Sequence, residues 1–201
     1  MDESDGAARG GRADARRNRE RLLTAAKAAF ADRGADVSLE EIARRAGVGI
    51  GTLYRNFASR EAILEDVYRR DVESHSASAT QLLATLAPGD ALHEWMRRAL
   101  GYAATKKGMS SALASMKDGS SELYAYSRKL YIDAVTLLVQ RATASGEIRK
   151  GVDPMDLLGA LGGLAHDSGR PDWPARALRL IDILMDGLRY QPPTRRRRPR
   201  K

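Results

Sequence analysis

Apolar positions recur along this chain at the period of a helix, and no stretch alternates with the period of a strand. In the first helical stretch, about residues 16–33, Leu22, Leu23, Ala26, Ala29 and Phe30 share a stripe, and Gly34 is placed to end it in the left-handed conformation. Ser38-Leu39-Glu40-Glu41 reads as a capping box, with the Ser38 hydroxyl accepting from the third helical backbone N–H and Glu41 reaching back. That second helix closes at Gly47, and Val48-Gly49 make the turn. A third short helix covers about 50–56 and ends at Phe57. Ser59 caps a fourth, which runs through Ile63, Leu64 and Val67 to about Leu86.

Ala87-Pro88-Gly89-Asp90 interrupts the pattern. A fifth helix, about 91–106, carries Leu92, Trp95, Met96, Ala99 and Ala103 on one face, and Gly108 breaks it. A short helix at 110–117 and a turn at Asp118-Gly119-Ser120 follow. The seventh, about 121–144, holds Leu123, Leu130, Ala134, Leu137 and Leu138 and stops at Gly146. Asp153 caps the eighth (154–167), with Pro154 at the first helical position, where its missing N–H costs nothing. Asp172-Trp173-Pro174 opens the ninth, and Gln191-Pro192-Pro193 ends it. The expectation is an all-α fold: a disordered arm (1–14), a helix-turn-helix domain (15–75, with the motif at 38–57), a helical second domain (76–191) and a disordered basic tail (192–201).

Composition narrows the class. Hydrophobic residues are 43% and charged residues 30%, as in a soluble globular protein. No apolar run approaches a membrane span. The first residues hold no apolar core segment, so a secretory signal is not expected and a cytoplasmic location is. There are no cysteines, which excludes disulfides, thiolate metal sites and Cys nucleophiles together. His93 and His166 have no partners at metal spacing, so neither metal nor cofactor is assigned.

The net charge of +8 is unevenly placed. Residues 9–70 carry 14 Lys/Arg against 9 Asp/Glu, residues 71–194 carry 14 of each, and residues 195–201 add six bases. A basic first third on a neutral remainder points to a polyanionic partner for that third.

The stretch that carries this chemistry is Ser38–Phe57, SLEEIARRAGVGIGTLYRNF. Ile42 and Ala43 can face Val48, Leu53 and Phe57, while small Ala43 and Ala46 let two short helices cross closely. The second of these presents Gly51, Thr52, Arg55 and Asn56, a face low enough to approach base edges in a groove.

This segment resembles the tetracycline-repressor (TetR) family of bacterial regulators. The residues that carry the resemblance are Phe30, Gly34, Ser38, Ile42, Ala43, Ala46, Gly47, Val48, Gly51-Thr52-Leu53-Tyr54, Phe57, Ser59, Glu61 and Leu64, across roughly residues 16–70. The resemblance implies that Tyr54 sets its hydroxyl on a backbone phosphate and that Gly51 and Thr52 lie at the groove, with Ile50 and Arg55 beside them. Ser38 would meet phosphate from a helix N-terminus, and Arg44 and Arg45 would lie near the groove edge. Gly49 stands where the family often has Ser, which removes one possible phosphate contact. Arg60 stands where it usually has Lys, and still binds phosphate.

Each feature has a plainer reading. Tyr54 could be half-buried core, and Arg16, Arg17, Arg19 and Arg21 an ordinary solvated face; phosphate contact for one or two of these, Arg17 among them, is the expectation. The tail Arg195–Arg198 reads as solvated, with non-specific DNA contact as the alternative.

The resemblance also implies a small-molecule pocket in the second domain. The candidate lining is Trp95, Met96, Met109, Met116, Tyr124, Tyr131 and His166, although such stripes at helical spacing are ordinarily core. A dimer interface is expected on the last two helices, from Leu158, Gly162, Leu178, Ile181, Leu184, Met185 and Leu188, unless that stripe packs only within its own subunit. The expected function is a ligand-released repressor, a homodimer on palindromic double-stranded DNA, with a small-molecule effector and no membrane partner. An enzyme is disfavoured: Gly47-Val48-Gly49-Ile50-Gly51 follows a helix and not a strand, and the adjacent His166-Asp167-Ser168 cannot converge as a triad. A non-specific architectural binder would need charge spread beyond residue 70.

Overall fold

A computed structural model describes residues 3–34, 36–115, 119–166 and 171–190, and side chains within 14–34, 36–102, 109, 122–165 and 171–190. Among these residues the chain is all-α: α1 (Glu3–Arg33), α2 (Leu39–Ala46), α3 (Ile50–Asn56), α4 (Arg60–Leu83), α5 (Pro88–Ser115), α6 (Gly119–Ala144), α7 (Pro154–His166) and α8 (Trp173–Arg189). None of the described helices is long and apolar enough to cross a membrane.

Several helix ends follow the expected chemistry. Ser38 accepts from the Glu41 backbone N–H at 3.2 Å, and Ser59 accepts from that of Ala62 at 3.3 Å. Asp153 accepts from Met155 N–H at 2.8 Å, with Pro154 opening α7 behind it. α2 ends in a Schellman motif: Gly47 sits at φ 63°, Val48 N–H bonds Ala43 O at 3.0 Å and Gly47 N–H bonds Arg44 O at 3.1 Å.

Three expectations are corrected. α1 begins at Glu3, earlier than the start near residue 16 that the apolar periodicity suggests. Ala and Arg favour this extension, and an i,i+3 pair between Asp14 and Arg17 supports it. α5 runs unbroken through Gly108, so the fifth and sixth predicted helices are one. An interior glycine costs only about 1 kcal/mol relative to alanine, and the adjacent Met109 is fully buried. α4 ends at Leu83, three residues early, where Leu86 N–H turns back to Leu82 O at 2.8 Å.

The described chain divides into two compact units that do not follow chain order. One holds residues 1–74 and 101–130, and the other 75–100 and 131–201. The middle of α5 and of α6 is therefore where each changes unit, and 101–130 groups with the N-terminal helices.

In the first unit, Leu22, Ala26, Ala29 and Phe30 of α1, Ile42 of α2, Leu53 of α3 and Ile63 and Leu64 of α4 are buried. α1 and α4 are also cross-linked by ion pairs: Arg19 with Asp66, Glu20 with Arg70, and Lys27 with Asp71. Further along α4, buried Tyr68 meets Tyr102 at 6.0 Å and, edge-on, Tyr124 at 5.9 Å between ring centroids.

The second unit is centred on Trp95. Its ring stacks on His75 at 4.5 Å and lies 5.9 Å from Tyr131, and its indole N–H donates to the His75 carbonyl at 3.1 Å. Glu147 accepts from Gly89 N–H at 2.9 Å, which anchors the start of α5. Arg149 N–H bonds Leu188 O at 2.8 Å, and Trp173 donates to Leu164 O at 2.6 Å. On α8, Ala177, Ile181, Met185 and Leu188 are buried within this unit.

Among the described residues, Trp95 is the largest fully buried side chain. Trp95→Ala should destabilise the fold by about 3–5 kcal/mol, from lost transfer energy plus the cavity left behind. Urea denaturation followed by circular dichroism checks this, and a loss under about 1 kcal/mol would mean the site collapses freely or is loosely packed.

Candidate nucleic-acid interface

α2 and α3 are too short to persist alone, since isolated helices below roughly a dozen residues are marginal in water. Each is held by few anchors. α2 buries Leu39, Ile42, Ala43 and Ala46, while α3 buries Leu53 alone. α3 starts at Gly49, whose carbonyl takes Thr52 N–H at 2.9 Å and Leu53 N–H at 3.3 Å, with no side-chain cap. It ends at Phe57, whose ring is buried.

The other side of α3 faces out. Tyr54 is 53% exposed; Ile50, Gly51 and Arg55 are exposed as well, and Thr52 is half-buried. A Cβ on Gly51 would meet nothing within 4 Å, so packing inside the chain does not require glycine there. Its effect is to lower the outer face of the helix, as close approach of a duplex needs. Arg55 donates to the Thr52 hydroxyl at 2.9 Å and Asn56 to the Thr52 carbonyl at 2.8 Å, which orders the polar side chains along this face.

Gly47 is fixed by its backbone: a φ of 63° is strained for any side chain.

Glu41 completes half of the expected capping box. Its backbone is capped by Ser38, but its carboxylate turns to Arg44, through two bonds of 2.8 Å, and to Arg45 at 2.9 Å. The Arg44 guanidinium, and then that of Arg45, hold the Glu41 carboxyl down to about 2. The two arginines differ in access. Arg44 has a 73% exposed side chain, whereas that of Arg45 is 23% exposed and also bonds Asp32 at 3.1 Å. Arg45 is therefore a brace from α2 to α1.

Other expected contacts lie on the same unit. Ser38 is exposed, Arg17 is exposed and paired with Asp14, and Arg60 is half-buried at the start of α4. Arg19 and Arg21 reach protein acceptors: half-buried Arg19 donates to Asn56 O at 2.8 Å and to Asp66, and exposed Arg21 to Gly47 O at 3.3 Å. Sequence reading set these arginines on a solvated or phosphate-facing edge, and only the distant positions of Asn56 and Asp66 reveal their role.

The expected sensor residues fall in both units. Trp95, Met96 and Tyr131 belong to the second unit, Met109 and Tyr124 to the first, and Trp95, Met96 and Met109 are fully buried. His75, stacked on Trp95 and tilted against Tyr131 at 5.4 Å, had no signal in the sequence beyond its helical spacing. Met116 and the His166 side chain lie outside the described residues. On the expected interface, Ile181, Met185 and Leu188 are buried in their own unit and so are unavailable to a partner. Leu158, Leu178 and Leu184 are half-buried and Gly162 is exposed. The exposed apolar side chains of α8 are instead Leu180 and Ile183, the latter 65% exposed.

Comparison with known proteins agrees with this geometry. Residues 22–67 match the family described as bacterial regulatory proteins, tetR family, and residues 87–190 match the C-terminal domain of SbtR-like transcriptional regulators. The chain is similar to the crystal structure of the TetR transcriptional regulator SCO0520 from Streptomyces coelicolor. That match is 46% identical, covers 85% of this chain and 98% of the other, and has a TM-score of 0.78. It is also similar to a TetR transcription regulatory protein from Mycobacterium vanbaalenii, at 32% identity, 89% and 99% coverage and a TM-score of 0.74. An HTH-type transcriptional regulator of Staphylococcus aureus (strain USA300) is 36% identical over 63 residues, 31% of this chain. The chain spans about a third (34%) of the length of that relative.

Because the Glu41 pKa is depressed on folding, its contribution to stability is complete above the usual range near 4.5 and is lost as pH falls toward about 2. A carboxyl titration followed by NMR should place the Glu41 midpoint near the lower value, and Arg44→Ala should raise it. A wild-type midpoint at the ordinary glutamate value would show that the two arginines do not hold it.

Proposed function

This chain belongs to the TetR family of bacterial transcriptional regulators, a DNA-binding family and not an enzymatic one, and from that membership we propose a ligand-released repressor that binds a palindromic operator as a homodimer. The observation that carries the reading is the outward face of α3. Ile50, Gly51, Tyr54 and Arg55 are exposed on a short helix whose one buried anchor, Leu53, points the other way. In this reading Gly51 and Thr52 approach base edges, Tyr54 and Ser38 give hydroxyls to phosphate, and Arg17, Arg44, Arg55 and Arg60 supply positive charge.

Two-fold assembly follows from the size of the reader. A seven-residue helix spans few base pairs, and a dimer doubles the site by setting two such helices about 34–36 Å apart, or a multiple of that. Exposed Leu180 and Ile183 on α8, with exposed Met155, Gly159 and Gly162 on α7, support these two helices as the interface. Effector binding belongs, in this proposal, to the unit that holds Trp95, Met96 and Tyr131, with His75 among them. α4 contributes to both units, so an effector that favours one position of α4 changes the placement of α3 and lowers operator affinity.

The Thr52→Ala/Tyr54→Ala double variant should bind operator at least about tenfold more weakly than wild type in gel-shift titration, given about 1 kcal/mol for each lost contact. Wild-type binding by that variant would remove α3 from the DNA. In sedimentation at micromolar concentration the wild type should run as a dimer, and Ile183→Asp should shift it to monomer with its helicity intact. A monomeric wild type would end the dimer proposal.

A further inference from the structure

α3 is tethered unusually lightly for a helix that must read sequence. Within its own span Leu53 is the one buried side chain, which makes it a pivot. Rotation about that pivot has to be stopped at the two ends. The N-terminal end is held by the turn through the Gly49 carbonyl. At the C-terminal end the buried Phe57 ring is joined by Arg19 of α1, which reaches in from outside the motif.

Arg19 makes three contacts with one planar group. It donates to the Asn56 carbonyl at 2.8 Å, at the end of α3 where intrahelical donors run out and the helix dipole is negative. It pairs with Asp66, on α4. Its guanidinium carbon lies 4.4 Å from the centre of the Phe57 ring, the residue that terminates α3. Two positions along α1, Arg21 reaches the carbonyl of Gly47 at the end of α2. The two arginines thus secure the ends of the two short helices separately.

We propose that Arg19 is the positioning residue for α3: it fixes the tilt of the helix, so that discrimination among DNA sequences depends on it while general affinity for a duplex does not. Base readout depends on hydrogen bonds of narrow geometry. Attraction to phosphates is long-ranged and tolerates small displacements. A helix free to rock about Leu53 therefore loses the first before the second. The guanidinium fork is needed because it serves acceptors on two elements while stacking on a ring, which an ammonium group cannot do. This inference rests on the reading of α3 as the DNA-facing helix.

The test uses the full-length protein, a duplex selected by wild type from a randomised library, and a scrambled duplex of the same composition. Arg19→Met should lower the ratio of selected to scrambled affinity about tenfold or more, the scale of a lost charge-assisted hydrogen bond. Scrambled-duplex affinity and its salt dependence should stay within about threefold of wild type. Amide exchange should rise across 50–57 and not across 39–46, with Arg21→Met giving the opposite pattern. Arg19→Lys, which keeps the charge without the fork, should not restore the ratio. Asp66→Asn, which removes the charge of the α4 anchor and leaves the Asn56 and Phe57 contacts, should lower it by a smaller factor. Should Arg19→Met fail to fold, the Lys and Asn variants carry the test.

Equal loss on both duplexes with a shallower salt slope would make Arg19 a phosphate ligand and overturn the proposal. So would an unchanged ratio in both Arg19→Lys and Asp66→Asn. The Thr52→Ala/Tyr54→Ala variant separates the two levels. If it binds the selected duplex like wild type, the reading of α3 is wrong; if it fails while the Arg19 variants keep the ratio, only the positioning role is.

Discussion

A helix of seven or eight residues does not hold its own shape in water, and this constraint organises the whole N-terminal unit. Nucleating a helix costs more than so few intrahelical bonds return. α2 and α3 therefore exist because something else holds them: the shared apolar contacts of Leu22, Phe30, Ile42, Leu53 and Phe57, and the backbone geometry of Gly47. α1 is the longest partner available, and ion pairs with Asp66, Arg70 and Asp71 bind it to α4. The proposed DNA-facing surface of α3 is thus as rigid as its attachment to these two long helices.

The same constraint explains why some features were legible in the sequence and others were not. The helix-turn-helix was readable because its determinants are local. Ser38 caps within three residues, Gly47 needs the left-handed conformation, and Ile42, Leu53 and Phe57 show their side by spacing. Gly108 misled because the cost of an interior glycine is smaller than the burial around it, and burial is a tertiary quantity. The last helix misled in another way. Its apolar stripe is real, but Ile181, Met185 and Leu188 turn toward their own unit, and periodicity cannot say whether a partner or the same chain covers a face. Arg19 and Arg21 were opaque because their acceptors lie 37 and 26 residues away in sequence.

Charge counting needs the same correction. The first third of the chain carries a surplus of bases, yet several are committed inside the fold. Arg45 bridges Glu41 and Asp32, Arg19 bridges Asn56 and Asp66, and Lys27 and Arg70 each hold an acid across the α1–α4 seam. Surface pairs of this kind add little stability one at a time.

That distribution bears on how such a protein separates affinity from specificity. If every arginine near the motif were free, attraction to any duplex would rise, and phosphate contacts carry no sequence information. Glu41 works against this by holding Arg44, which is the more exposed of its two partners and the one able to exchange a carboxylate for a phosphate. In the proposed reading, Arg44 would meet a phosphate by exchanging the bidentate bond it makes to Glu41. On α3, exposed Gly51 and Tyr54 and half-buried Thr52 are uncharged, while exposed Arg55 is bonded to the Thr52 hydroxyl. With its arginines partly occupied, the proposed interface would place the greater share of its discrimination in the geometry of α3, and that geometry is set from α1 and α4.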